Sequence, residues 1–148
     1  MIRSILACLD DSARAPAVFD MAAEVAERFG AKLHPLRVVT LPESSLAAPV
    51  SHGDTRPETL AANAVEELAR MALRAPRVQT EPPMVRDGVA PWRQILESSD
   101  ELDVDLIVLG SHGHRGVYYL LGNTAMRVVN LARRPVLVVH ARVDGPAP

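Results

Sequence analysis

The residues best suited to chemistry in this chain lie between Gly110 and Thr124. An apolar run, Val104–Leu109, leads into Gly110-Ser111-His112-Gly113-His114-Arg115-Gly116, and the segment closes on Gly122-Asn123-Thr124. Glycines in such a loop let the backbone approach a bulky anion and leave N–H groups free to point at it. A helix expected to begin near Asn123 adds unpaired N–H groups and the positive end of its dipole, a natural seat for phosphate. Asn123 reads as the N-cap, and its side chain or the Thr124 hydroxyl can serve a phosphate oxygen instead. Glycines in a surface loop are also ordinary turn formers, so the position of the loop in the fold has to decide between the two readings.

Other candidates carry less. His112 and His114 have no clustered Cys, Asp or Glu beside them in sequence and fall short of a metal-ligand set. With Arg115 they read better as positive charge near a phosphate. Cys8, the sole cysteine, sits in an apolar run and reads as packing. Lys32 is the one lysine among 16 basic residues, so no lysine stands by a glycine loop and a Walker-type site is excluded. The Gly-x-Gly-x-x-Gly dinucleotide fingerprint is also missing after the first strand. Asp10-Asp11 resembles the acidic pair of phosphorelay receiver domains, with Asp87 as the third acid. The expected lysine is absent from Val139-His140-Ala141-Arg142, however. No nucleophile–base or carboxylate pair has convincing spacing, and no catalytic residue is assigned.

The elements that must position the loop follow from hydrophobic periodicity. Ile2–Leu9 reads as a strand buried on both faces, of the kind found in parallel sheets. Ser12 is expected to cap a helix whose apolar face is Ala15, Val18, Phe19, Ala22, Val25, Ala26 and Phe29, with Gly30 as its C-cap. Lys32–Val39 is the second strand. From Thr40 to Arg56 periodicity is lost, and a connection of that length in a compact domain is usually functional or mobile. A second helix starts near Pro57 and turns Leu60, Ala64, Val65, Leu68, Met71 and Ala72 inward. Arg77–Val85, broken by Pro82-Pro83, reads as an edge strand. Pro91 opens a third helix, and Val104–Leu109 is the fourth strand. The fourth helix has Ala125, Val128, Val129 and Ala132 on one face and Arg133 and Arg134 in its last turn. Val136–Val139 is the final strand.

This β-α-β-α-β-α-β-α-β order with right-handed crossovers predicts an α/β fold: a doubly wound, five-stranded parallel sheet, order 3-2-1-4-5, with helices on both faces. Ligand crevices in such sheets lie beyond the carboxyl ends of the strands where the winding reverses. Here that is between the first and fourth strands, so Asp10 and the glycine loop face one another. One domain is expected over residues 1–142, with a flexible tail at 143–148.

Composition narrows the partners. The 148 residues suit one domain, and with 48% hydrophobic and 23% charged residues the chain can fill a core and stay soluble. Aromatics at 3% leave no stacking surface, and a net charge of −2 without a basic run leaves no phosphate-backbone footprint, so no nucleic-acid partner is expected. No segment approaches the roughly 20 apolar residues that cross a bilayer. A single cysteine and the lack of a signal-like start make the cytoplasm the expected location.

The segment from Asp103 to Val139, Asp-Val-Asp-Leu-Ile-Val-Leu-Gly-Ser-His-Gly onward to Arg-Arg-Pro-Val-Leu-Val-Val, resembles the C-terminal half of universal stress proteins of the UspA type. The first strand ending in Asp10, with Ser12 after it, is similar to that family's opening, and the likeness covers nearly the whole chain. The resemblance implies a homodimer, a role in stress response or signalling and, in one branch, ATP binding through Gly-x2-Gly-x9-Gly-Ser/Thr, with or without Mg2+. Gly110 and Gly113 match. Gly122 comes after eight intervening residues, one short, and Asn123 stands at the Ser/Thr position. Carried over by position, Asp10 meets the ribose or adenine side, beside Cys8, Leu9 and Leu109, and Val39 lines the base pocket. Gly110, His112, Gly113, Arg115, Gly122, Asn123 and Thr124 surround the phosphates. Slow ATP hydrolysis is the most that catalysis could amount to. The alternative is a dimeric signalling member without nucleotide, working through a surface built on the edge strand Val136–Val139.

Overall fold

The computed structural model describes residues 1–40, 57–111 and 121–141. The elements, in chain order, are β1 (Ser4–Cys8), α1 (Ala15–Phe29), β2 (Lys32–Val39), α2 (Pro57–Ala72), β3 (Met84–Asp87), α3 (Pro91–Glu101), β4 (Leu106–Gly110), α4 (Asn123–Leu131) and β5 (Val136–Val139). The five strands form one parallel sheet in the order β3-β2-β1-β4-β5, as expected. The connection at 41–56 and the tail at 143–148 lie outside the described residues.

Because both faces of a doubly wound sheet are covered, its central strands have no polar side. Ile5, Leu6, Ala7 and Cys8 of β1 are all buried, as are Leu106 to Leu109 of β4. Successive side chains point to opposite faces. Ile5, Ala7, Leu9, Leu33, Leu106 and Val108 therefore join Val18, Phe19, Ala22 and Leu68 in the core under α1 and α2. Leu6, Cys8, Leu36, Ile107 and Leu109 join Ile95, Ala125 and Val128 in the core under α3 and α4. Each fully buried Leu, Ile or Phe contributes roughly 1.5–3 kcal/mol. The central register sets Ile5 between Leu33 and Leu106. This brings the carboxyl ends of β1 and β4 level.

Several local expectations change. The helical N-cap of α1 is Arg14, not Ser12. The Asp10 carboxylate has captured Ser12: its Oδ1 accepts the Ser12 N–H at 3.0 Å and the Ser12 Oγ–H at 2.6 Å. Ser12 Oγ in turn accepts the Arg14 N–H at 3.3 Å. The chain thus makes an Asx-type turn before the helix begins. At the other end Gly30 takes φ 63°, where a side chain would be strained, and the Ala31 N–H closes on Ala26 O at 2.8 Å.

Phe29, Val65 and Val129, placed on apolar faces by periodicity, are 54%, 41% and 43% exposed. Arg133 and Arg134 are not in the last turn of α4, which ends at Leu131. The residue before a proline is pushed to extended geometry. Arg134, before Pro135, pairs instead with Asp103 at 2.8 Å. β3 is shorter than expected because Pro82 and Pro83 cannot donate to the ladder. Only an isolated bridge, Leu33 to Thr80, precedes them. Asp105 ties the start of β1 to β4 by accepting the Arg3 N–H at 2.8 Å and the Ser4 N–H at 3.1 Å. The Arg3 bond above all holds its carboxyl below the usual carboxylate range.

Candidate ligand-binding site

β1 leads to α1 on one face, while β4 leads to α4 on the other. Among the described residues, the two elements part above the sheet at this point. A cavity of about 330 Å3 opens there, between the carboxyl ends of β1, β2 and β4 and the amino ends of α1, α3 and α4. Its floor is apolar, from Cys8, Leu36, Val38, Ile95 and Leu109. Asp10, Ser12, Thr40, Ser111 and Thr124 supply the polar wall. An apolar floor with a few converging polar groups is the usual character of a small-molecule site.

One end of the cavity is the amino end of α4, where the positive end of the helix dipole favours negative charge. Gly122 is the N-cap of α4, with φ −60° and ψ 158°, and no side chain among the described residues caps the helix. The Ser111 N–H bonds Val139 O at 2.9 Å, and the Gly122 N–H bonds Ser111 O at 2.7 Å. These two bonds pin the amino end of α4 to the carboxyl ends of β4 and β5. They also commit the Gly122 N–H, so the donors facing an anion are those of the first turn, Asn123, Thr124 and Ala125. The first intrahelical bond, from the Met126 N–H to Gly122 O at 2.9 Å, starts beyond them.

The opposite wall is Asp10. One oxygen holds Ser12, and among the described residues Oδ2 accepts no hydrogen bond. Cys8 lies in the floor, and burial pushes its thiol far above the ordinary range. It is therefore a neutral, apolar surface at physiological pH, not a nucleophile.

Of the residues singled out by sequence, Cys8, Leu9, Asp10, Leu109, Gly110, Gly122, Asn123 and Thr124 come together around this cavity. His112, Gly113 and Arg115 lie outside the described residues. Val39 does not line it: Val38 and Thr40 do, and by strand alternation Val39 belongs to the face of α1 and α2. Parity with the buried Leu36 would have selected Val38. Asn123 is the first helical residue, not the N-cap. Its Oδ1 accepts the Arg127 Nε–H at 3.2 Å, and the Arg127 guanidinium lies over the Trp92 ring at 5.3 Å. Trp92 also carries Arg93 at 5.1 Å. Leu36, Ile95 and Ser111 were not singled out, because in the sequence they look like core or turn.

Among the described residues no group of three or more His, Cys, Asp and Glu side chains could hold a metal ion. No helix among them is long and apolar enough to cross a membrane.

A doubly wound parallel sheet, with an apolar-floored cavity at its switch point and a helix amino end at the rim, defines the class, an α/β protein of the doubly wound type. Within that class the chain belongs to the universal stress protein family, whose profile matches residues 1–140. It is 33% identical over 144 residues to universal stress protein A homolog 1 of Coxiella burnetii, spanning 93% of this chain and 95% of that one. Solved structures share the fold. One, a universal stress protein in complex with cAMP, superposes with a TM-score of 0.69 at 22% identity, over 95% of this chain and 98% of that one. Another, the universal stress protein from Archaeoglobus fulgidus in complex with dAMP, has a TM-score of 0.62 at 23% identity, over 93% of this chain and 97% of that one.

Proposed function

We propose that this chain is a nucleotide-binding universal stress protein that holds ATP in the switch-point cavity, in a stress-response or signalling role. The observation that carries the reading is the juxtaposition of the first turn of α4 with an apolar-floored cavity at the ends of β1 and β4. The bases of two relatives' ligands are adenine, in cAMP and dAMP. In this chain Cys8, Leu36, Val38 and Ile95 offer an adenine ring an apolar bed. The Asp10 carboxylate accepts ribose hydroxyls, and the N–H groups of Asn123 and Thr124 with the Thr124 hydroxyl receive phosphate. Thr124 stands in for the hydroxyl that Asn123 lacks. The described residues hold no ready set of metal ligands, so Mg2+ would enter with the phosphates.

Purified protein, denatured and chromatographed, should release an adenine nucleotide, or the emptied protein should bind Mg-ATP in a calorimetric titration. No released nucleotide and no heat at millimolar Mg-ATP would remove the reading. In that case the family member that works without nucleotide is left.

A homodimer through β5 is part of the proposal. Val136, Leu137, Val138 and Val139 are all half-buried on an edge strand, where unpaired backbone and apolar side chains call for a cover. Sedimentation equilibrium at micromolar concentration should give twice the 16.0 kDa chain mass. A monomer mass there would sink the dimer and leave the nucleotide reading untouched.

A further inference from the structure

Among the described residues Arg37 is the one charged side chain in the buried set, 7% exposed. No motif marks it. Burying a cation is costly unless its donors are matched, and here they are. Nε donates to Leu9 O at 3.1 Å, Nη2 donates to Asp10 O at 3.0 Å, and Nη1 pairs with the Glu67 carboxylate of α2.

Those two carbonyls belong to the residues that carry β1 into the cavity wall. The last backbone bond from β1 to β2 is the Leu9 N–H to Leu36 O at 2.8 Å. Beyond it the strand has left the sheet, and the Leu9 and Asp10 carbonyls find their partner in Arg37. Leu9 and Asp10 line the cavity, whereas Arg37 does not. It reaches them from the face of α1 and α2, since Leu36 and Val38, its neighbours on β2, point to the other face.

We propose that Arg37 is the positioning residue of the nucleotide site. Its planar fork fixes the Leu9–Asp10 peptide, and with it the direction in which the Asp10 carboxylate enters the cavity. Glu67, 49% exposed on α2, holds the fork from outside. The inference rests on the nucleotide reading and adds a residue that touches no ligand. A lysine cannot replace it, because a point charge on a flexible stem does not span two carbonyls and a carboxylate.

The test is a set of titrations of Arg37→Lys with ATP and with adenosine, well below the melting temperature. Arg37 orders the ribose and base end, so both ligands should lose affinity by the same factor, roughly tenfold, with the ratio between them unchanged. In an Asp10→Ala background the same substitution should cost much less, since the group it positions is gone. A residue that only supports the fold would lower the melting temperature while folded protein bound both ligands as before. That result overturns the proposal, as does a loss confined to ATP or full additivity with Asp10→Ala. If Arg37→Lys does not fold, Glu67→Gln, on the half-exposed partner, should keep the fold and give a smaller loss for both ligands. Unchanged binding in that variant counts against the proposal. A wild-type chain that binds neither ligand overturns the nucleotide reading and this one together. A wild-type chain that binds beside an unaffected Arg37→Lys overturns this one alone.

Discussion

Thr124→Glu is expected to weaken ATP binding roughly ten- to a hundredfold while leaving the protein at least as stable as the parent. The two effects have opposite signs because they act on the same feature. Thr124 is the second residue of α4 and lines the cavity. The first turn of α4 carries no acidic residue. A carboxylate there complements the helix dipole and stabilises the free protein by about 0.3–1 kcal/mol. That same carboxylate occupies the anion seat. Two like charges about 4 Å apart near a protein surface repel by about 4 kcal/mol at an effective dielectric of 20, and even half of that is more than tenfold in affinity. Adenosine, without phosphates, should bind nearly as well as to the parent. Calorimetric titrations with both ligands, paired with thermal melts, read all three quantities. An unchanged ATP affinity in a folded Thr124→Glu protein would mean that the phosphates do not lie at α4.

The pairing of these two ligands also separates the ends of the site. A change at α4 alters the ATP-to-adenosine ratio, whereas a change at the β1 corner does not. The same contrast explains which parts of the site were legible in the sequence. Chain order, buried strands and a glycine loop after β4 are local signals, and with handed crossovers they lead to the sheet order and to the facing of Asp10 and Gly110. What escaped was set by contacts between distant segments. Val38, not Val39, meets the cavity because β2 pairs in parallel with β1 and turns Leu36 to the α3 side. Asn123 is drawn into the helix because the Gly122 N–H is held by Ser111 O. Ser12 is diverted from capping α1 by the acid two residues before it. Arg37 reads as a lone polar residue in an apolar strand, and its three partners lie 27, 28 and 30 residues away. Periodicity has no term for such bonds.

Phe19→Ala and Phe29→Ala should differ sharply, although the helical repeat sets both phenylalanines on the apolar face of α1. Phe19 is fully buried, packed in the core of β1, β4 and α2. Its truncation leaves a cavity that a close-packed sheet cannot collapse, at a cost of about 3–5 kcal/mol. That is a large share of the roughly 5–15 kcal/mol a domain has in all. At about 2–4 °C per kcal/mol for a chain of this length, the melting temperature should fall by roughly 6–20 °C. Phe29 is the last residue of α1 and 54% exposed. β2 begins at Lys32, just past the Gly30 turn, so by its last turn α1 has reached the amino-terminal edge of the sheet. More than half of the ring stands in water, and Phe29→Ala should stay within about 0.5 kcal/mol of the parent. Melts of the two variants side by side decide the point. Equal losses would mean that α1 lies deeper over the sheet than its Gly30 cap allows. The α1 face of the sheet also carries Leu9 and the corner that Asp10 turns, so a loosened Phe19 core should reach the cavity wall as well. ATP affinity in Phe19→Ala, measured well below its lowered melting temperature, should therefore fall, whereas in Phe29→Ala it should match the parent.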